Sequence, residues 1–386
     1  MKKVILISSG ILIFLLIVGI WVYLFVFGAP QSMQGVFTNF GIGGNDNTEF
    51  EEQPENTITE GTDGPVIASR TLRQLSTTPI AGMTFVGSTT VRYVEQGTGH
   101  IFDISLETGS ETQVSNTTFV KVRDAIFSPD GTKVIFSYEE GGERRNTLGT
   151  LENNTLTSSS LLSAAREFAF DATGETMYYL LETQNGTNGY AYDIGTKEVT
   201  LLFTAPFGSV RAIWGDAIYV YQKSAASLPG YLYEIVKGKL TPVTNGRLGL
   251  MATPFDDGII VTETSGDTLI STAFETETTH EVPLEIFREK CAISSVTIGD
   301  LICGGALTFD TTMTYPDDWY KGKTSQNDLL WSVDIADEEA TLLTDPLTET
   351  GRQLDVEKIV ADAFETQFLL MNKTNSTLWL FTPLAN

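Results

Sequence analysis

Short apolar segments recur along this chain at residues 84–86, 125–127, 168–170, 212–214, 251–253, 295–297 and 359–361. Centred on Phe85, Ile126, Ala169, Ile213, Ala252, Val296 and Val360, they lie 41, 43, 44, 39, 44 and 64 residues apart. A turn containing Gly, Asp or Asn follows each, and then a second apolar run such as KVIFSYE, TMYYLLE or GIIVTET. A third run comes next (HIFDIS, YAYDI, TLISTAF, LLWSVDI), weak only near residues 145–150, and a fourth in most units. Val, Ile, Tyr, Phe and Leu dominate these runs, as they do in strands. No amphipathic helix of three turns interrupts them. Four strands in about 43 residues is the period of a β-propeller blade.

The last unit holds three strands, and one spare strand, RTLRQLS at residues 70–76, precedes the first unit. An N-terminal strand that completes the final blade leaves no open sheet edge. The expectation is an all-β, seven-bladed β-propeller over residues 68–386, closed by that strand. Eight blades would require splitting the 64-residue unit, whose extra residues do not contain four strands.

FSPDGTKVIFSYE (residues 127–139) resembles the repeat motif of TolB-type, WD40-like propellers, with FDATGETMYYLLE and FDDGIIVTE as weaker copies. The resemblance implies a fold and a surface for partners, and brings no catalytic residues. Turn chemistry explains the Ser-Pro-Asp-Gly element: Pro129 presets φ, and Gly131 tolerates positive φ.

Ahead of the repeats, residues from Val4 to Phe27 carry no charge. A helix of that length spans about 36 Å, enough for a bilayer core. Lys2 and Lys3 precede it, and no Lys or Arg follows until Arg70. The positive-inside rule then puts the N-terminus in the cytoplasm and the rest outside. The apolar run is long for a cleaved signal peptide, and Gly28-Ala29-Pro30 is a poor cleavage junction, so residues 1–27 read as a tip and uncleaved signal anchor. Residues 28–67 hold seven acids and no base, which reads as an extended, solvated tether. In a four-stranded blade the inter-blade connectors and the second-to-third-strand loops share one face. The tether feeds a fourth strand, and therefore enters on the other. The connector face is expected to point away from the membrane.

Charge and rare residues narrow the function. With 24 Lys and Arg against 49 Asp and Glu, the net charge is −25, which disfavours nucleic acid as a partner. Two His (His100, His280) and two Cys (Cys291, Cys303) cannot build a Cys/His metal centre, and no cofactor is expected. Both His fall on outer strands, away from the channel, and no Gly-x-Ser-x-Gly elbow occurs. Cys291 and Cys303 fall on neighbouring strands of blade six. Their simplest hairpin register does not oppose them, so two buried thiols are favoured over a disulfide.

Two groups of residues stand out as binding candidates. The insertion in unit six (residues 308–327) carries Tyr315, Asp317, Asp318, Trp319, Tyr320 and Lys321, a mixture of aromatics and charge found on recognition surfaces. The competing reading is a loop folded over the disc with Trp319 buried. Nine of the 22 propeller cations sit in or beside the connectors: Lys121, Arg123, Arg166, Arg211, Arg247, Arg288, Lys290, Arg352 and Lys358. They would form a positive channel mouth for an anionic peptide, carboxylate or glycan. The competing reading pairs them with Asp124, Glu167, Glu289 and Glu357.

The chain thus reads as a membrane-anchored, extracytoplasmic binding or scaffold propeller for a protein, peptide or glycan. A propeller hydrolase or lyase acting on an anionic or sugar substrate is the alternative. The anchor is directly testable. Full-length chain should pellet with membranes and resist carbonate extraction, while a chain lacking residues 1–27 should remain in the supernatant. Equal partitioning of the two would remove the anchor.

Overall fold

The computed structural model describes residues 72–383, apart from 224, 257, 267, 276–277 and 295–299. The apolar segment 4–27 and the tether 28–67 lie outside the described residues. Among the described residues, no helix is long and apolar enough to cross a membrane.

Seven four-stranded antiparallel sheets follow one another along the chain. Their first strands are Ile80–Val86, Val122–Phe127, Ala165–Phe170, Val210–Ile213, Met251–Phe255, Cys291–Ile293 and Val356–Ala361. Each sheet runs in sequence order from first strand to fourth, the up-and-down order of a propeller blade. The seventh is completed from the N-terminus: Leu72–Gln74 pairs antiparallel with Leu378–Phe381, with Leu72 opposite Phe381. The expected closure is therefore present. Leu72 lies at the end of its strand away from the connectors, so the chain joins the ring on the face opposite them.

The core lies between blades. Seven apolar clusters each join a pair of neighbouring sheets; one sets Ile213, Tyr221 and Leu232 of blade four against Leu250, Ala252 and Val261 of blade five. Strands buried on both faces read as near-continuous apolar runs, and LICGGA (Leu301–Ala306) is buried at all six positions. Close approach of first strands makes a glycine necessary at one point. A Cβ on Gly82 would stand 1.9 Å from the Ala125 carbonyl oxygen. In the Ser-Pro-Asp-Gly turn, Gly131 has φ 70° and Asp130 accepts hydrogen bonds from Thr132 N and Oγ1, as the turn chemistry requires.

Several details differ from the sequence reading. The weak third strand of blade two is the ten-residue strand Glu143–Glu152. The first strand of blade six is Cys291–Ile293, with Ile293 paired to Leu301, and the segment around Val296 lies outside the described residues. That register sets Cys291 opposite Cys303, with Cα atoms 4.2 Å apart, and the two are joined as a disulfide. The expected free thiols are corrected by this register, which sets the two cysteines directly opposite each other.

Ring closure rests on few residues, and Leu72 is fully buried between blades six and seven. Leu72→Ala should cost about 2–5 kcal/mol, the usual range for emptying a core leucine site. A lowered urea midpoint would register it. An unchanged midpoint would mean that the clasp contributes little.

Candidate functional site

The connector face is covered in part by the blade-six insertion. Its short helix Asp317–Tyr320 seats Trp319 in a cluster with Met251, Leu269, Phe287 and Tyr315. Trp319 is 1% exposed, and its indole N–H donates to Asp355 Oδ1 at 2.9 Å. Lys373 lies over the ring, its Nζ 3.6 Å from the centroid, and also donates to the Trp319 carbonyl. Neighbouring groups are engaged too. Asp317 Oδ1 accepts from Ala226 N at 2.8 Å, and Asp318 accepts from Thr314 N and from Lys323 Nζ, each at 2.9 Å. Tyr315 is buried, and Tyr320 donates its hydroxyl to Glu289 Oε2 at 3.0 Å. Burial, reinforced by Glu289, pushes the Tyr320 phenol well above its usual pKa. The expectation of exposed aromatics is thus corrected. A large aromatic with 1% exposure contributes packing and leaves no contact surface of its own.

Beneath Trp319 lies a buried ion cluster. Lys290 is fully buried, and its Nζ donates to Gln326 Oε1 and Asp328 Oδ2 at 2.6 Å and to Asp355 Oδ1 at 2.8 Å. Asp355 Oδ2 also accepts from Gln326 N, and Asp328 Oδ2 from Val356 N. Burial raises the Asp328 pKa, and Lys290 opposes the shift. Lys290 is therefore no part of a positive mouth: three oxygen partners saturate its three N–H groups.

Most of the other connector cations are likewise engaged. Arg211 spans Glu167 and Glu289 at 3.1 and 3.0 Å, so one guanidinium links blades three and four to the connector of blade six. Burial opposes the charge of Arg211, but those two carboxylates hold its pKa above the usual value. Arg247 pairs with Glu263 at 2.6 Å and Lys358 with Asp124 at 3.6 Å. Arg166 donates to the Ser163 and Ala165 carbonyls, and Arg352 to Gln74 Oε1. Arg288 donates to the Ala212 carbonyl at 2.6 Å and the Tyr221 hydroxyl at 3.3 Å. Three of the nine are exposed: Arg352; Arg123, whose side chain is 71% exposed although paired with Glu139; and Lys121, with no ion pair among the described residues. The last two lie together. Both line an open groove of about 580 Å³ between blades one and two, walled also by Pro79, Glu95, Gln96 and Val122.

Local backbone features explain this placement. The first strands of blades one, two, three and seven carry register shifts at 80/82, 122/124, 166/169 and 356/358. A bulge re-aims the side chain it inserts. It turns out Arg123 in blade two and Glu167 in blade three. Sequence reasoning found Arg123 by its connector position, but the groove depends on which neighbours pair, and spacing carries no signal for that. On the axis, a second cavity of about 380 Å³ is lined by Glu167, Ile213, Trp214, Arg288, Ile293 and Ile359, among others. No group of three or more His, Cys, Asp or Glu is placed to hold a metal among the described residues. His100 contacts Thr118 and Gln113 just ahead of an outer strand, and His280 lies on the outer strand Thr279–Val282 near Glu275 and Glu338.

No protein-family model matches the sequence, and no curated protein matches it. Solved structures share the fold. The β-propeller domain of the Trilobed protease from Pyrococcus furiosus is 15% identical with a TM-score of 0.52, covering 78% of this chain and 95% of that one. Its ring is described as open at the velcro, whereas here Leu72–Gln74 is paired into the seventh blade. An oligogalacturonate lyase from Vibrio parahaemolyticus is 11% identical with a TM-score of 0.52, covering 81% of this chain and 93% of that one. A TolB-like structure from Agrobacterium tumefaciens is 14% identical, covers 53% of this chain and 81% of that one, and has a TM-score of 0.39, too low to carry an argument. At these identities the likeness shows the seven-bladed propeller and nothing of chemistry.

The buried cluster makes a clear demand. Lys290→Met leaves Asp328 and Asp355 without their ammonium and should cost about 3–5 kcal/mol. Adding Asp328→Asn to that variant should recover part of the loss, because one buried charge is removed. Urea denaturation of the three proteins tests this, and equal midpoints for wild type and Lys290→Met would refute it.

Proposed function

We propose that this chain is a membrane-anchored propeller, held outside the cytoplasm, that binds a protein or peptide partner on its connector face and is not itself an enzyme. One observation carries the reading. Among the exposed connector cations, Lys121 and Arg123 both wall the open groove between blades one and two, and Arg352 stands apart from it. Pro79 adds exposed apolar wall beside them. A groove with an apolar wall and an exposed cation at its rim suits an extended segment that carries a carboxylate. Arg211, Arg247, Lys290 and Lys358 are held in ion pairs that brace the ring, so they are unavailable to a partner without breaking those pairs. A hydrolase or lyase reading draws on fold likeness alone, and fold does not imply function.

A photo-crosslinking residue at Gln96 in the full-length chain, used in the native membrane, tests this. A discrete crosslinked partner is expected, with about tenfold less adduct for Lys121→Glu/Arg123→Glu at unchanged melting temperature. The same adduct at the same yield from the double variant would overturn the groove as the site. Substrate turnover by the purified chain would overturn the non-enzymatic reading.

A further inference from the structure

The axial cavity has a chemistry that ring closure does not require. Its walls mix polar and apolar groups, and the apolar ones include Ile213, Ile293 and Ile359 on three different blades and the indole of Trp214. Glu167 and Arg288 are charged groups that also line it. These two are not locked together: Glu167 Oε2 and Arg288 Nη1 stand 4.0 Å apart, beyond hydrogen-bond reach. Each has unused capacity. Arg288 commits two N–H groups, to Ala212 O and Tyr221 Oη, of the five that a guanidinium carries. Glu167 commits Oε1 to Arg211, and among the described residues Oε2 accepts no hydrogen bond.

Glu167 is also held in place at some cost. It sits in a bulge with φ 52°, a conformation that disfavours side chains, at about 1 kcal/mol or more. Its carbonyl accepts from Trp214 Nε1 at 2.9 Å and its carboxylate from Arg211. The fold thus fixes an anion, a cation and an indole around one half-open cavity with apolar side chains on part of its wall.

We propose that the axial cavity binds an α-amino acid with an apolar side chain, free at both its ammonium and its carboxylate. The carboxylate meets Arg288, the ammonium meets Glu167 Oε2, and the side chain lies against Trp214 and the isoleucines. A cavity of about 380 Å³ falls within the size range of small-molecule sites. A ligand that carries both charges loses least on leaving water, because each charge finds its opposite inside. A ligand with one charge would leave either Glu167 or Arg288 facing a neutral group. This site is separate from the groove between blades one and two and stands whether or not the groove binds a partner.

Saturation-transfer NMR on the full-length protein tests the assignment, with L-phenylalanine, N-acetyl-L-phenylalanine and L-phenylalaninamide as probes. L-Phenylalanine should saturate, and the two capped probes should bind at least about tenfold more weakly. Ala169→Phe projects a ring into the cavity from its wall and should abolish the signal. Glu167→Gln keeps the shape and should lose the preference over the N-acetyl probe, which gives a second reading if Ala169→Phe does not fold. The proposal falls if L-phenylalanine gives no saturation, if capped and free probes bind alike, or if folded Ala169→Phe binds as wild type does.

Discussion

Closing the ring satisfies a backbone demand on which every other feature depends. Each blade is a four-stranded sheet with two apolar faces, and each face is buried only if a neighbour stands on it. An open ring would leave one face of blade one and one of blade seven in water. It would also leave the edge of Leu378–Phe381 with unpaired amides and carbonyls. Three residues, Leu72–Gln74, pair that edge, and Leu72 enters the cluster between blades six and seven. The stagger of chain ends that this imposes also decides where the chain joins the disc, on the face opposite the connectors.

Electrostatics inside the ring follow from scarcity. With about two acids for every base, cations near the axis are surrounded by potential partners, and the fold uses them as bolts. Arg211 links groups from blades three and four to the connector of blade six, Lys358 reaches from blade seven to Asp124 of blade two, and Lys290 holds two buried carboxylates under the insertion. Such pairs gain little net energy over apolar packing, because desolvation offsets attraction, but each is costly to break singly. They act more as constraints on arrangement than as a store of stability. The insertion is seated by the same means: Asp355 takes the Trp319 indole N–H, the Gln326 amide and the Lys290 ammonium at once.

The two cavities differ in kind because of this bracing. On the axis, charged groups are held by neighbours at fixed positions, which favours small ligands of matched charge. Between blades one and two, Lys121 and Arg123 stand exposed at the rim of an open groove, with Arg123 paired only to Glu139. Bulges in the first strands produce both arrangements. Each turns one extra side chain out of the ladder, and whether that residue is Arg123 or Glu167 decides what the local surface offers.

The sequence by itself determined the period, the number of blades, the closing strand near residue 72 and the turn at Gly131. Strand alternation, turn residues and apolar runs are local signals, and each was legible residue by residue. Tertiary structure alone decided the rest. Trp319 sits among charged neighbours in a polar insertion, and its burial depends on apolar partners such as Met251 and Phe287 and on Asp355 and Lys373, all remote in sequence. Cys291 and Cys303 meet because Ile293 pairs with Leu301, a register that no composition rule states. Which connector cations are spent and which remain depends on partners dozens of residues away, such as the Glu167 and Glu289 that share Arg211. Pairing energy falls steeply with distance, and distance between remote residues is set by the closed ring.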